Sequence, residues 1–281
     1  MKTLQALLPI VKIAHYTLSD EVRQKSFVVM FVICVLGVFL SRGCYQGNYM
    51  VNGQLLNAGT LAGTVSKATF HIIAVCVMLI TALLSMRVFR RDLDNGMQAC
   101  FLSKPITRWQ YVLGKILGLW VLSVSFMFIL HGIVFFITSL HLKVVMPEYL
   151  AASLLCSFNL LFVIIAVLLL SLLMSDIIAF LCVMAIVVAG FVADWIHAIN
   201  QNQMVQAIMQ PSTHSQADLT WSNAVYYIWP KLSGTQQFAS SLIGHEGFHG
   251  FVSLYPIINV LLYCFILAGV LFWRFRNEEV S

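Results

Sequence analysis

Charge is scarce in this 281-residue chain. Lys, Arg, Asp and Glu together make up 10% of it and hydrophobic residues 60%, whereas a soluble domain carries about 25% charged and roughly 45–50% apolar residues. That shortage excludes an ordinary water-soluble domain and points to an integral membrane protein. Three further absences narrow the chemistry. The spelling G-x-x-x-x-G-K-[ST] occurs nowhere, so no phosphate loop is available to cradle a nucleotide. The seven cysteines (Cys34, Cys44, Cys76, Cys100, Cys156, Cys182 and Cys264) form no C-x-x-C pair and lie mostly in apolar runs, which argues against a zinc knuckle or a disulfide framework. The basic residues gather in no single patch, so the net charge of +5 is no argument for nucleic-acid binding.

What the chain has is apolar runs. A bilayer span needs about 20 mostly apolar residues, and six runs qualify: 24–43, 68–88, 116–138, 149–172, 177–195 and 252–273. A bundle of helices is the expected fold, because a helix satisfies its own backbone hydrogen bonds in lipid. The expectation is therefore an all-α polytopic protein, one transmembrane domain over residues 1–281 with six spans. The first run is read as a retained helix rather than a cleaved signal, since it begins well into the chain and Ser41-Arg42-Gly43 is a poor approach to a lipidated Cys44. With both termini in the cytoplasm, Lys2, Lys12, Arg23, Lys25, Arg87, Arg90, Arg91, Lys104, Arg108, Lys115, Arg274 and Arg276 lie inside, against Arg42, Lys67, Lys143 and Lys231 outside. This bias satisfies the positive-inside rule for a protein of the cytoplasmic (inner) membrane.

Between the spans, residues 7–27 mix apolar and polar positions at helical spacing, as an amphipathic helix lying along the cytoplasmic interface does. Residues 44–67 are rich in Gly and Asn and read as an outer loop. Residues 196–251 are rich in Gln, Asn and Ser and form a second outer loop, long enough to hold short helices but too short for an independent enzyme domain; Trp221, Tyr226, Tyr227, Trp229 and Pro230 suit a segment at the lipid headgroups.

The most informative stretch is RVFRRDLDNGMQACFLSKPITRWQYVLGKILG, residues 87–118. Asp92 and Asp94 are expected to open a short helix, where carboxylates favour the positive dipole end. Met97, Cys100 and Phe101 give it one apolar edge, and Pro105 stops it. Arg108, Trp109 and Tyr111 anchor the re-entry into the membrane, and Gly114 and Gly118 open the next span. The segment is thus a short amphipathic helix on the cytoplasmic face with a hard stop, a handle on which a soluble partner can push.

Asp92, Asp94, Gly96, Leu102, Ser103, Pro105, Thr107, Arg108, Tyr111, Gly114 and Lys115, read without a gap, resemble the shared block of the ABC-2-type transporter permeases. The stretch IAHYTLSDEVRQKSF resembles that family's entry helix. This chain departs from the pattern in having Asp92 for the usual Glu and Met97 for the usual Thr after the glycine. The resemblance implies the transmembrane subunit of an ABC transporter, paired with a second copy or a relative of itself in the membrane lipid and driven by a separate ATPase. No cofactor is expected on this chain, with ATP and magnesium held by the ATPase. It implies export, a coupling helix over residues 92–104 seated on the ATPase, and Asp92, Asp94, Gly96, Met97, Cys100, Phe101, Ser103, Lys104, Pro105 and Arg108 as the ATPase-coupling residues.

Polar residues inside spans are functional candidates, because they are costly in lipid. His131, Asn159 and Asn259 lie in spans, and Asp194 and His197 stand three apart at the outer end of another. They either line a substrate path or subunit seam, or make ordinary helix–helix hydrogen bonds. His71 and His131 form no pair suited to haem. The competing catalytic signal is His245-Glu246-Gly247-Phe248-His249, the H-E-x-x-H of zinc proteases, and the alternative function is a membrane-embedded metalloprotease. Gly244, Gly247 and Gly250 disfavour the helix that such a site requires, and no third ligand follows on the same side of the membrane, which leaves Asp194, His197, His214 and Asp218 upstream as the candidate ligands. An outer-loop turn is the expected structure there.

Overall fold

The computed structural model describes residues 2–40, 42–43, 50–51, 54–55, 58–94, 106–142, 147–201, 229–243 and 254–277. Among these residues the elements are α1 (Lys2–Val22), α2 (Lys25–Leu40), the short antiparallel pair β1 (Met50–Val51) and β2 (Gln54–Leu55), α3 (Ala58–Ser85), α4 (Val88–Asp94), α5 (Arg108–Leu142), α6 (Glu148–Ser171), α7 (Asp176–Gln201), α8 (Leu232–Ile243) and α9 (Tyr255–Asn277). Five helical stretches are long and apolar enough to cross a membrane, and α1 with α2 forms a sixth candidate bent by 70°. The protein is an all-helical, multi-pass membrane protein. With 16 residues, α2 alone reaches about 24 Å.

The most apolar of the five long helices lies at the centre. Of the apolar window in α6, 72% is buried inside the protein, against 28% for α7 and for α9. Its buried face runs almost without interruption from Phe162 to Leu169, and it packs against α3, α5, α7, α8 and α9. α7 and α9 leave rows of large apolar side chains exposed, among them Ile177, Leu181, Val188, Leu262 and Phe265. A helix that is apolar on all sides satisfies a position with protein on one side and lipid on the other.

Helix α1 lies against α5, and two glycines explain how closely. A Cβ on Gly114 would fall 2.8 Å from Ile13 Cβ, and one on Gly118 would fall 2.7 Å from the carbonyl oxygen of Ala14. Gly114 and Gly118 are four residues apart on one face of α5, the small-xxx-small arrangement that lets helix backbones meet. They therefore do more than open a span. They are the seat of α1.

Two differences from the sequence expectations have physical causes. The apolar run at 68–88 belongs to a helix that starts ten residues earlier, at Ala58. A helical glycine costs about 1 kcal/mol relative to Ala, too little for Gly59 and Gly63 to stop so long an apolar helix. The polar segment read as an outer loop contains α8, whose Leu232, Ser233, Thr235, Gln236, Ala239, Ser240 and Ile243 are buried between α6, α3, α7 and α9. Its hydroxyls are satisfied within the segment: Thr235 donates to the carbonyl of Lys231, Ser240 to that of Gln237 and Ser241 to that of Phe238. Gly234 seats the helix on Pro256, where a Cβ would come within 3.1 Å of the proline ring.

Candidate functional site

The candidate site is the end of the bundle where α1, α4, α5 and α9 meet. Helix α4 ends at Asp94, so Asp92 and Asp94 occupy its last turn, and residues 95–105 after them lie outside the described residues. The apolar Val88 and Phe89 start the helix earlier than the charge pattern indicates, and both are buried. Asp94 is exposed, whereas Asp92 is buried. Asp92 is compensated twice: the Tyr111 hydroxyl donates to its Oδ2, and Lys115 Nζ stands 2.6 Å from the same oxygen. Lys115 is fully buried. Its ammonium lies 5.6 Å from the ring centre of Tyr16 on α1 and 5.8 Å from that of Tyr111, within the range of a cation–π attraction. Removing one partner from a buried ion pair costs about 3–5 kcal/mol, because the other charge is left without compensation.

A second charge group joins α4 to α1. Arg91 donates to Glu21 and pairs with Asp20 at 2.6 Å, and Gln24 donates to the other Glu21 oxygen. Burial pushes the Glu21 carboxyl above the usual carboxylate range, and the Arg91 guanidinium opposes that shift. A third contact, Arg90 to Asp176 at 3.5 Å, reaches the first turn of α7, but Arg90 is 60% exposed and such a pair is worth about 0–1 kcal/mol.

On the other side of the connecting segment, α5 has a defined start. The Thr107 N–H donates to the Gln110 side chain at 3.0 Å, and the Gln110 N–H returns to the Thr107 carbonyl, half of a capping box. Arg108 donates to the carbonyl oxygens of Phe275 at 3.4 Å and Arg276 at 3.1 Å, a cation at the negative end of α9. The rings of Phe89, Tyr111 and Phe275 fill the space between, with centres 5.5–6.3 Å apart. Asp92 before the segment is thus tied to α5, and Arg108 after it to α9. Gly96, Met97, Cys100, Phe101, Ser103, Lys104 and Pro105 lie outside the described residues.

The family model described as ABC-2 family transporter protein matches residues 11–280. The chain belongs to the ABC-2 transporter family. No match to a curated protein was found. Membership makes this ABC-2 protein the membrane subunit of an ABC transporter, and Asp92, Tyr111, Gly114 and Lys115, the residues that carried the resemblance, include the buried pair and one of the two helix seats.

The polar residues singled out in this ABC-2 protein's spans fall at the opposite end, and each of the four whose side chain is described has a partner within the chain. His131 Nδ1 is 2.8 Å from Ser153 Oγ, and its ring stacks on Phe70 at 4.8 Å. Asn159 donates to the carbonyl of Leu232, Asn259 accepts from the N–H of Lys231, and Asp194 pairs with Lys231 Nζ at 3.0 Å. Three of the four therefore hold the start of α8. His197 lies in α7, with its side chain outside the described residues, as are His245, Glu246 and His249. Among the described residues no group of three or more His, Cys, Asp or Glu is placed to hold a metal ion.

The sequence marked Arg91 and Lys231 only by membrane side and Tyr16 and Glu21 only as part of the entry stretch, and it gave none of these, nor Gln236, a contact. Lys231 carried a signal, a single cation directly after Pro230 in an otherwise uncharged stretch. Gln236, which donates to the carbonyl of His71, carried none. The Arg91 pairs join residues about 70 apart, and nothing local in the sequence marks them.

Proposed function

We propose that this chain is an export permease worked by a separate ATP-hydrolysing subunit that seats on residues 92–108. ATP-driven closure of the ATPases pushes the segment, and α1 and α5 move with it as a unit, a rigid-body switch between inward- and outward-open states. The observation that carries this reading is the Asp92–Tyr111–Lys115 lock, which makes the base of the segment stiff where a passive loop would yield. On this account α1 lies along the cytoplasmic interface, both termini are cytoplasmic, the membrane is the cytoplasmic (inner) one, and two copies pair around the transport path. ATP and magnesium belong to the partner, since the chain has no phosphate loop.

The test is co-purification from the native membrane. A phosphate-loop ATPase should accompany the wild-type chain, and its hydrolysis should lose dependence on the permease when Gly96 is replaced by Val and Asp92 by Asn. A chain that purifies stably alone and leaves any neighbouring ATPase unaffected would end this reading.

A further inference from the structure

A groove of about 560 Å³ lies beside the lock, lined by Arg108, Trp109 and Val112 from the first turns of α5 and by Phe272, Trp273, Phe275 and Arg276 from the last turns of α9. None of these seven is a carboxylate. Trp109 is 47% and Trp273 66% exposed, and Arg276 is exposed and makes no ion pair among the described residues. Arg108 holds the two helix ends together through the carbonyls of Phe275 and Arg276, which brings its positive charge to the same rim.

The groove sits where two long apolar helices end. Tryptophan favours that depth of a bilayer, its ring in apolar surroundings and its N–H among headgroups. The walls sort by chemistry along the helices. Phe272, Trp273 and Val112 face it from the apolar side, and Arg276 and Arg108 from the terminal, basic side. A free anion would be served by the arginines alone and gains nothing from two indoles and a phenyl ring. A soluble protein has no use for an aromatic wall at hydrocarbon depth. A molecule with a negative head and apolar chains uses both.

We infer that this groove is a binding site for one anionic phospholipid, with the phosphate at Arg276 and Arg108 and the chains along Trp273, Phe272 and Val112. Basic pockets between helices on the cytoplasmic side are suited to such headgroups. The site needs only the membrane fold and is independent of whether an ATPase seats on the neighbouring segment.

Native mass spectrometry of the delipidated full chain in detergent, titrated with dioleoylphosphatidylglycerol or dioleoylphosphatidylcholine, tests it. The first phosphatidylglycerol should bind more tightly than the first phosphatidylcholine. Arg276→Gln should weaken it about five-fold, the usual worth of one basic residue at a membrane surface. Arg276→Lys should restore most of the loss, and Arg23→Gln, an exposed basic residue elsewhere, should change nothing. Trp273→Ala should weaken both lipids. Equal binding of the two lipids, or an Arg276→Gln chain with undiminished selectivity, would overturn the inference. Displacement of the bound lipid by millimolar inorganic phosphate would also overturn it, since that marks a simple anion site.

Discussion

At the basic end of the bundle, α1, α4 and α5 are joined through Asp92, Lys115, Arg91, Asp20 and Glu21. At the opposite end, α8 is joined to α3, α6 and α9 through neutral amides, Gln236, Asn159 and Asn259, and to α7 by one ion pair, Lys231 with Asp194. The two designs fail differently. Removing one member of a buried charge network leaves a bare charge, so the structure holds until it breaks as a whole. Removing one amide leaves a neutral group, and helix–helix hydrogen bonds of this kind average only about 0.6 kcal/mol. One end is held by a buried charge network, and the other holds a short inserted helix mostly by neutral contacts that are released one at a time.

The largest effect should come from Asp92→Ala. It leaves Lys115 buried without its carboxylate and should lower stability by about 3–5 kcal/mol, read as a fall in the thermal unfolding midpoint by circular dichroism in detergent. Asp194→Ala strands Lys231 in the same way and should fall toward the lower end of that same ~3–5 kcal/mol range, but its damage should be confined to α8. Hydrogen exchange of residues 232–243 should rise while that of residues 10–17 stays unchanged. If both variants loosen both ends equally, the division between the ends is wrong.

Gly118→Leu should come next, at about 1–3 kcal/mol for overpacking, because the Ala14 carbonyl that a Cβ would meet is backbone and cannot rotate away. Its signature is faster exchange in α1 with α8 unaffected. The smallest effects belong to Asn159→Leu and Asn259→Leu, each about 0.6–1.7 kcal/mol, and their double variant should be close to additive. A larger loss for the amides than for Gly118→Leu would reverse the proposed order of the two ends.

How far the sequence reached follows the same division. Apolar run length located the long helices, because a bilayer demands about 20 apolar residues and no competing pattern imitates them. The block from Asp92 to Lys115 contains the residues of the buried pair, and the glycines at 114 and 118 were visible there, but their partners on α1 were not. A contact such as Gly118 with Ala14 joins residues about a hundred apart and has no local trace. The error at Asp92 has a plain cause: a carboxylate near a helix start and one buried beside a lysine are spelled alike, and only the packing of Phe89 and Tyr111 separates them. Helix α8 could not be located within its loop because its buried face, between Leu232 and Ile243 at its two ends, is made of Ser, Thr, Gln and Ala. Hydroxyls that bond to their own backbone remove the burial penalty while keeping a loop-like composition.

The central claim is that the basic end receives force from an ATPase and that Asp92 and Lys115 carry it into the bundle. The most direct measurement is ATP hydrolysis by the co-purified complex in proteoliposomes, with Asp92→Asn and Lys115→Met chains compared with Asp194→Asn in amounts matched by assembled complex. The account predicts that the first two lose the permease-dependent part of hydrolysis although the ATPase remains bound, while Asp194→Asn retains it. Full permease-dependent hydrolysis in the Asp92→Asn and Lys115→Met complexes would contradict it.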